Sequence, residues 1–232
     1  MTASRRRFVA TLTLASALAA AGCAHAAPAD AFFVAIKRDD AGAMETLLRR
    51  GFDPNKARDE RGQPGLIVAV REGSARVLRV LLAAPATQVE VRNAQDESPL
   101  MIAAIKGDLP LVKALIARDA DVNKTGWTPL HYAVSTNQPQ QLDIVRLLLE
   151  KSAYIDAESP NGTTPLMMAA RYGSEQAVKL LFEEGADPTP RNQQGLNAAD
   201  FARLADRGSL AAQLDEAVAR RRPGSGVAPR RW

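Results

Sequence analysis

Ser98-Pro99-Leu100-Met101-Ile102-Ala103-Ala104, Thr128-Pro129-Leu130-His131-Tyr132-Ala133-Val134 and Thr164-Pro165-Leu166-Met167-Met168-Ala169-Ala170 are one phrase written three times. Each opens like a helix. A Ser or Thr side chain at the cap can accept a free first-turn amide, and Pro at the first helical position loses no donor the helix needs. Anchoring on the first Ala extends the register to Ala35, Ala69, Ala103, Ala133, Ala169 and Ala202, with gaps of 34, 34, 30, 36 and 33 residues. Behind each of the first five anchors comes an apolar pair: Leu47-Leu48, Leu81-Leu82, Leu115-Ile116, Leu148-Leu149 and Leu181-Phe182. Gly73, Gly107 and Gly173 each stand four residues after an anchor. A helix end in the left-handed conformation is expected there, because Gly adopts it without steric cost.

A fixed period near 33 residues marks a repeat array. Val112, Leu115 and Ile116, like Val178, Leu181 and Phe182, keep the three- and four-residue spacing of one helix face. Helices of two or three turns fall below the roughly 12 to 15 residues at which an isolated helix is even marginal in water, so neighbours must hold them. The phrase and its period resemble the ankyrin repeat. That resemblance implies an all-α repeat solenoid of about six units over residues 29–218, each a helix, a turn, an antiparallel helix and a hairpin-like loop. The first unit, read as having Phe32-Phe33 in place of the Thr-Pro start, and the last, Asn197-Ala198-Ala199-Asp200, are expected to be caps. A loop short by three residues around Lys124-Thr125-Gly126 predicts a stunted finger. Three extra residues within Asn137-Gln138-Pro139-Gln140-Gln141 predict an enlarged turn or a piece of contact surface.

The ends differ in kind from this body. Residues 1–26 place Ser4-Arg5-Arg6-Arg7-Phe8-Val9 before an uncharged stretch to Gly22 and the small-residue pattern Ala24-His25-Ala26. This is the layout of an export signal cut after Ala26, and its arginines resemble a twin-arginine signal; a general secretory signal is the plainer alternative. Ala20-Ala21-Gly22-Cys23 offers a rival reading as a lipoprotein box, which would leave a lipid on Cys23 and hold the protein at the outer membrane. The apolar run is too short for a lasting membrane span. Residues 220–232 are expected to be a flexible arginine-rich tail. Between the ends, residues 27–219 hold 22 basic and 26 acidic side chains, so the high overall pI does not mark a nucleic-acid surface.

Composition narrows the chemistry. Two histidines and one cysteine are too few for a zinc site, a disulfide framework or a thiol protease, and no phosphate-binding loop or nucleophile elbow is present. No cofactor and no catalysis are expected. His131, in the Thr-Pro-Leu-His phrase, has a structural hydrogen-bonding role by the ankyrin resemblance. What remains is a surface. The resemblance places on the concave side the two residues after each small pair: Lys37 and Arg38, Arg71 and Glu72, Ile105 and Lys106, Ser135 and Thr136, Arg171 and Tyr172. Loop residues before each helix start join them, among them Gln63, Gln95, Glu97, Lys124, Trp127 and Thr163. Trp127, Tyr172, Ile105, Arg71 and Arg171 are of the types that dominate binding energy, and Lys106 and Gln95 flank them. The expected function is that of a monomeric periplasmic scaffold gripping another protein, an exported enzyme or a toxin; the alternatives are a membrane-anchored lipoprotein scaffold through Cys23 and, from another class, a hydrolase on an ankyrin frame with a side-chain set that includes His131.

Overall fold

The computed structural model of the protein describes residues 28–221. The expected export segment 1–26 and the tail beyond residue 221 lie outside the described residues. Twelve helices follow in pairs: α1 (Pro28–Lys37) and α2 (Ala41–Arg49), α3 (Gly65–Glu72) and α4 (Ala75–Ala83), α5 (Pro99–Lys106) and α6 (Leu109–Ile116), α7 (Pro129–Val134) and α8 (Gln141–Glu150), α9 (Pro165–Tyr172) and α10 (Glu175–Glu183), α11 (Ala198–Arg203) and α12 (Gly208–Arg221). The last helix takes in Arg220 and Arg221, the first two residues of the expected tail. Among the described residues no helix is long and apolar enough to cross a membrane.

The helix starts follow the sequence. Ser98, Thr128 and Thr164 each accept the amide three residues on, from Met101, His131 and Met167. In the last unit Asn197 and Asp200 exchange the same bonds in both directions, at 3.0 and 3.1 Å. Each first helix packs against the next along the array, from α1 on α3 to α9 on α11. All six anchor alanines are buried at this seam. A methyl group there lets neighbouring backbones approach, whereas the outer helices from α6 onward stand further apart than the inner ones, and a groove of about 340 Å³ opens between α10 and α12. Tight inner and loose outer packing bends the array toward its inner helices.

Three details depart from the sequence reading. Phe32 stands at the Leu position of the phrase, three residues before its anchor, and Asp30-Ala31 occupies the Thr-Pro position. Phe32 is fully buried, stacked on Phe52 at 5.0 Å, and covers Gly65, where a Cβ would fall 2.3 Å from its ring. Gly73 and Gly107 adopt the left-handed angle, at φ 73° and 72°, but Gly173 is extended at φ −90°. Its small size is needed for another reason: a Cβ would lie 2.2 Å from the Val134 carbonyl of the preceding unit. The apolar pairs are also unequal. Leu81, Leu115, Leu148 and Leu181 are fully buried, their second members only half so, and in the first unit, on which no preceding helix packs among the described residues, both Leu47 and Leu48 are half-buried.

Polar ties cross every seam. Asp39, left-handed at φ 48°, accepts the Val77 amide at 2.9 Å and so caps α4 from the unit before it. Burial pushes its carboxyl up, but that amide and the Arg76 guanidinium outweigh it and hold the pKa below the usual value. Arg118 donates to the carbonyls of Leu82 and Thr87, closing the end of α4, and Arg207 donates to Ala170 and Gly173, both at 2.9 Å, closing α9. The enlarged turn of the fourth unit joins in. Gln138 covers Gly107, Gln140 accepts the Leu109 amide at 3.4 Å, and the buried Gln141 accepts the Ser174 hydroxyl at 3.0 Å.

Truncating Leu115 to Ala should cost about 2 to 5 kcal/mol and Ile116→Ala clearly less, read from urea unfolding midpoints. Gly173→Ala should destabilise by about 1 to 3 kcal/mol, through collision with the Val134 carbonyl rather than through backbone angle. Gly173→Ala as stable as wild type would show that the two units can part without cost.

Candidate functional site

The inner face begins with the loops that precede each first helix from α3 onward. In four of them a tight turn forms: Asp59, Asn93, Ser159 and Asn192 donate their amides to the carbonyls of Gln63, Glu97, Thr163 and Leu196 at 3.0 to 3.2 Å. The residue at the tip is left-handed, Gly62, Gly162 and Gly195 in three fingers and Asp96 at φ 60° in the fourth. The loop before α7 is the one shortened by three residues: Gly126 keeps the left-handed tip at φ 82°, but the amide-to-carbonyl bond that closes the other four turns is not formed there. Lys124 instead folds back, paired with Asp96 and donating to the Thr125 carbonyl at 2.8 Å. It is buried, as are Gln63 and Thr163, so these three do not present side chains on the concave surface as expected.

His131 sits at the centre of this region and is fully buried. The Thr128 amide donates to Nδ1 at 3.2 Å, so Nδ1 carries no proton and Nε2–H donates to the Thr163 carbonyl at 2.9 Å, across to the next unit. Both nitrogens are used. Burial outweighs the bonds to Thr163 and Ala157 and lowers the pKa to about 4. Trp127 packs edge-on against this imidazole, ring centroids 5.2 Å apart, and is half-buried. Its position is that of a wedge supporting the histidine rather than of a freely exposed anchor.

The other expected site residues form a row on the inner helices. Arg71 reaches back along α3 to Glu97 at 2.5 Å, and Glu97 also accepts from the Asn93 side chain at 2.6 Å and the Tyr132 hydroxyl at 3.0 Å. Burial, then the Glu97 charge, raises the Tyr132 pKa, so this phenol remains a donor. Lys106 is exposed, with Nζ 2.6 Å from the Arg71 carbonyl. Ile105 and Tyr172 are 37% and 48% exposed, and the Arg171 guanidinium lies 5.1 Å from the Tyr172 ring centre, within cation–π range. Arg171 and Tyr172 also border a shallow recess of about 500 Å³ shared with Asn137 and Arg207. Gln95 stands apart, exposed on a finger whose turn its amide completes through Asn93 at 3.0 Å.

Some surface residues were missed by the sequence reading. Tyr132 was legible only as part of the phrase, yet it joins the third and fourth units through Glu97. Leu204, 53% exposed, extends the row into the last unit; Val34, 44% exposed, stands one residue before its anchor, where Val68, Ile102 and Phe201 are buried, and so lies off the row. Leu204 stands two residues after anchor Ala202, as Ile105 and Arg171 follow theirs, so carrying the register to the last unit would have found it.

A family model described as ankyrin repeats, three copies, matches residues 32–125, 66–159 and 100–192, each match starting one repeat after the last. The chain belongs to the ankyrin-repeat family. Such repeats generally mediate protein–protein interaction rather than catalysis. This ankyrin array is similar to the nuclear factor NF-kappa-B p105 subunit of Mus musculus, 35% identical over 61% of the chain. It is also similar to the ankyrin repeat and SAM domain-containing protein 6 of Rattus norvegicus, 28% identical over 64%, and to the B-cell lymphoma 3 protein homolog of Mus musculus, 31% identical over 64%. The alignments span only 15%, 13% and 34% of those proteins. The likeness is therefore one of repeat arrays.

The neutral imidazole sets a pH dependence. The folded pKa of His131, about 4, lies below the unfolded value near 6.5, so the unfolded chain binds the extra proton between them. This contribution is complete above about pH 6.5 and is lost as the pH falls toward 4. Lowering the pH from 7 to 4.5 should remove about 2 kcal/mol through this group. His131→Gln, less stable at pH 7, should show a correspondingly flatter loss in urea titrations; parallel wild-type and variant profiles would contradict it.

Proposed function

We propose that this ankyrin array is a non-catalytic scaffold of the periplasm that grips another protein, an exported enzyme or a toxin, along its inner face. One observation carries the reading: Ile105 and Tyr172, apolar and exposed, stand on helices fixed by buried seams, with Arg171 ordered over the Tyr172 ring. Preorganised apolar and aromatic side chains of this kind bind with little ordering cost. The single histidine of the repeats is committed at both nitrogens to Thr128 and Thr163 and has no lone pair or proton left for acid–base work. Among the described residues no cluster of three His, Cys, Asp or Glu side chains could hold a metal.

The periplasmic location rests on the sequence of residues 1–26, whose arginines, apolar core and Ala24-His25-Ala26 end suit export. Cys23 supports a second reading, an outer-membrane lipoprotein scaffold. The mass of the mature protein from a cell envelope decides between them: an amino terminus at Ala27 fits a freed scaffold, and a diacylated Cys23 fits an anchored one.

Ile105→Ala with Tyr172→Ala should reduce recovery of the crosslinked native partner at least tenfold, with the melting temperature nearly unchanged. Trp127→Ala should instead lower the melting temperature by loosening His131. Equal crosslinking by wild type and the Ile105/Tyr172 double variant would reject the inner face as the site.

A further inference from the structure

The inner row opposes the charge of the body that carries it. Residues 27–219 hold more acidic than basic side chains, 26 against 22. Yet the positions that close the inner helices bring together Lys37, Arg38, Arg71, Lys106 and Arg171, against Glu72 alone on the same helix ends. Arg71 is matched by Glu97 from a finger. Among the described residues no carboxylate pairs with Lys37, Arg38, Lys106 or Arg171; the same holds for cations outside the row such as Arg79 and Lys113, so the row is set apart by its excess of cations on one face and not by their lack of partners. Interleaved with these cations are Ile105, Tyr172 and Leu204, all exposed.

Resting on the interaction reading above, we propose that the inner row takes an extended acidic peptide segment, with carboxylates and apolar side chains alternating along it. Packed helices lie about 8 to 10 Å apart, and an extended chain advances about 3.3 Å per residue. A strand crossing the inner helices therefore meets a new unit about every three residues. Its carboxylates face Lys37 and Arg38 at one end and Lys106 and Arg171 further along, with apolar side chains against Ile105 and Tyr172. A nucleic-acid strand fits less well. Its continuous phosphate backbone offers nothing to exposed aliphatic groups such as Ile105 and Leu204, which the apolar side chains of a peptide can cover.

The test is selection of random 16-residue displayed peptides on the full chain, with a 20-nucleotide poly-dT strand measured in parallel by fluorescence anisotropy. Selected peptides should be enriched in Asp and Glu, with acidic and apolar positions recurring about every three residues. Lys106→Glu with Arg171→Glu should weaken them at least tenfold. Arg79→Glu with Lys113→Glu, an equal charge change on the outer helices, should leave them unchanged. Three results overturn the inference: no enrichment over the starting library, enrichment without acidic bias, or equal binding by the Lys106/Arg171 variant and wild type. Peptides without acidic bias that are lost on Ile105→Ala with Tyr172→Ala would end the charge argument and leave the inner-face reading standing. Binding indifferent to both inner-face variants would end both. Poly-dT bound more tightly than the peptides and released by Lys106→Glu with Arg171→Glu would assign the row to nucleic acid instead.

Discussion

No unit of this protein can stand alone, and the contact between one inner helix and the next is what makes the chain a structure. Apart from α12, its helices are of 6 to 10 residues. At that length nucleation cost outweighs propagation in water, so helical order comes from burying one unit on another. The anchor alanines make that burial close, and the leucines behind them make it large. Stability in such an array is a sum of nearest-neighbour terms. The seam is therefore both the source of folding and the reason the inner surface is rigid.

Close seams bring polar backbone ends together, and the chain satisfies them across units rather than within them. Asp39 caps α4, Arg118 closes α4, and Arg207 closes α9, each from an adjacent unit. His131 does the same between the fourth and fifth units, with the added demand that it remain neutral. These ties contribute less by their own strength than by preventing the large penalty of an unsatisfied buried group. They also fix register, because each bond requires one residue to stand opposite another some 30 to 38 positions away.

The architecture was legible because its determinants repeat. Thr-Pro starts, anchor alanines and apolar pairs each recur at one spacing, and the structure places them as caps, seam and core. What the sequence concealed were pairings between unlike positions. Gly173 looks like Gly73 and Gly107 in one dimension, but the enlarged turn after α7 brings the Val134 carbonyl against it, and crowding replaces backbone angle as the constraint. Lys124 reads as a loop cation, yet the shortened loop folds it inward to Asp96. Trp127 reads as an exposed anchor and is partly spent on His131. Beside Gly173 and Lys124 the spacing of the repeat changes by an insertion or a deletion, and Trp127 meets a histidine that no other unit carries at that position; periodicity expresses neither. The identity of a bound partner is hidden for a related reason: the row is written in the array's own spacing, and its complement is written in another chain.

The same economy explains why the inner row can carry an imbalance of charge. A cation in the seam would need a partner, and those near it have one, as Lys124 has Asp96 and Arg207 has the carbonyls of α9. At the solvent-facing ends of α1, α5 and α9 no such demand exists, and Lys37, Lys106 and Arg171 stand without carboxylates. Like charges held at fixed intervals repel one another modestly in water, a cost reduced by salt and by the acidic remainder of the body. Lys37, Lys106 and Arg171 stand on every second inner helix, about 16 to 20 Å apart at the usual helix spacing and beyond the Debye length of about 8 Å at physiological salt, so they scarcely repel one another. The buried seams hold the helices that carry these cations at fixed intervals, so the spacing of the charges is set by the fold and a partner that matched it would meet little ordering cost in this chain.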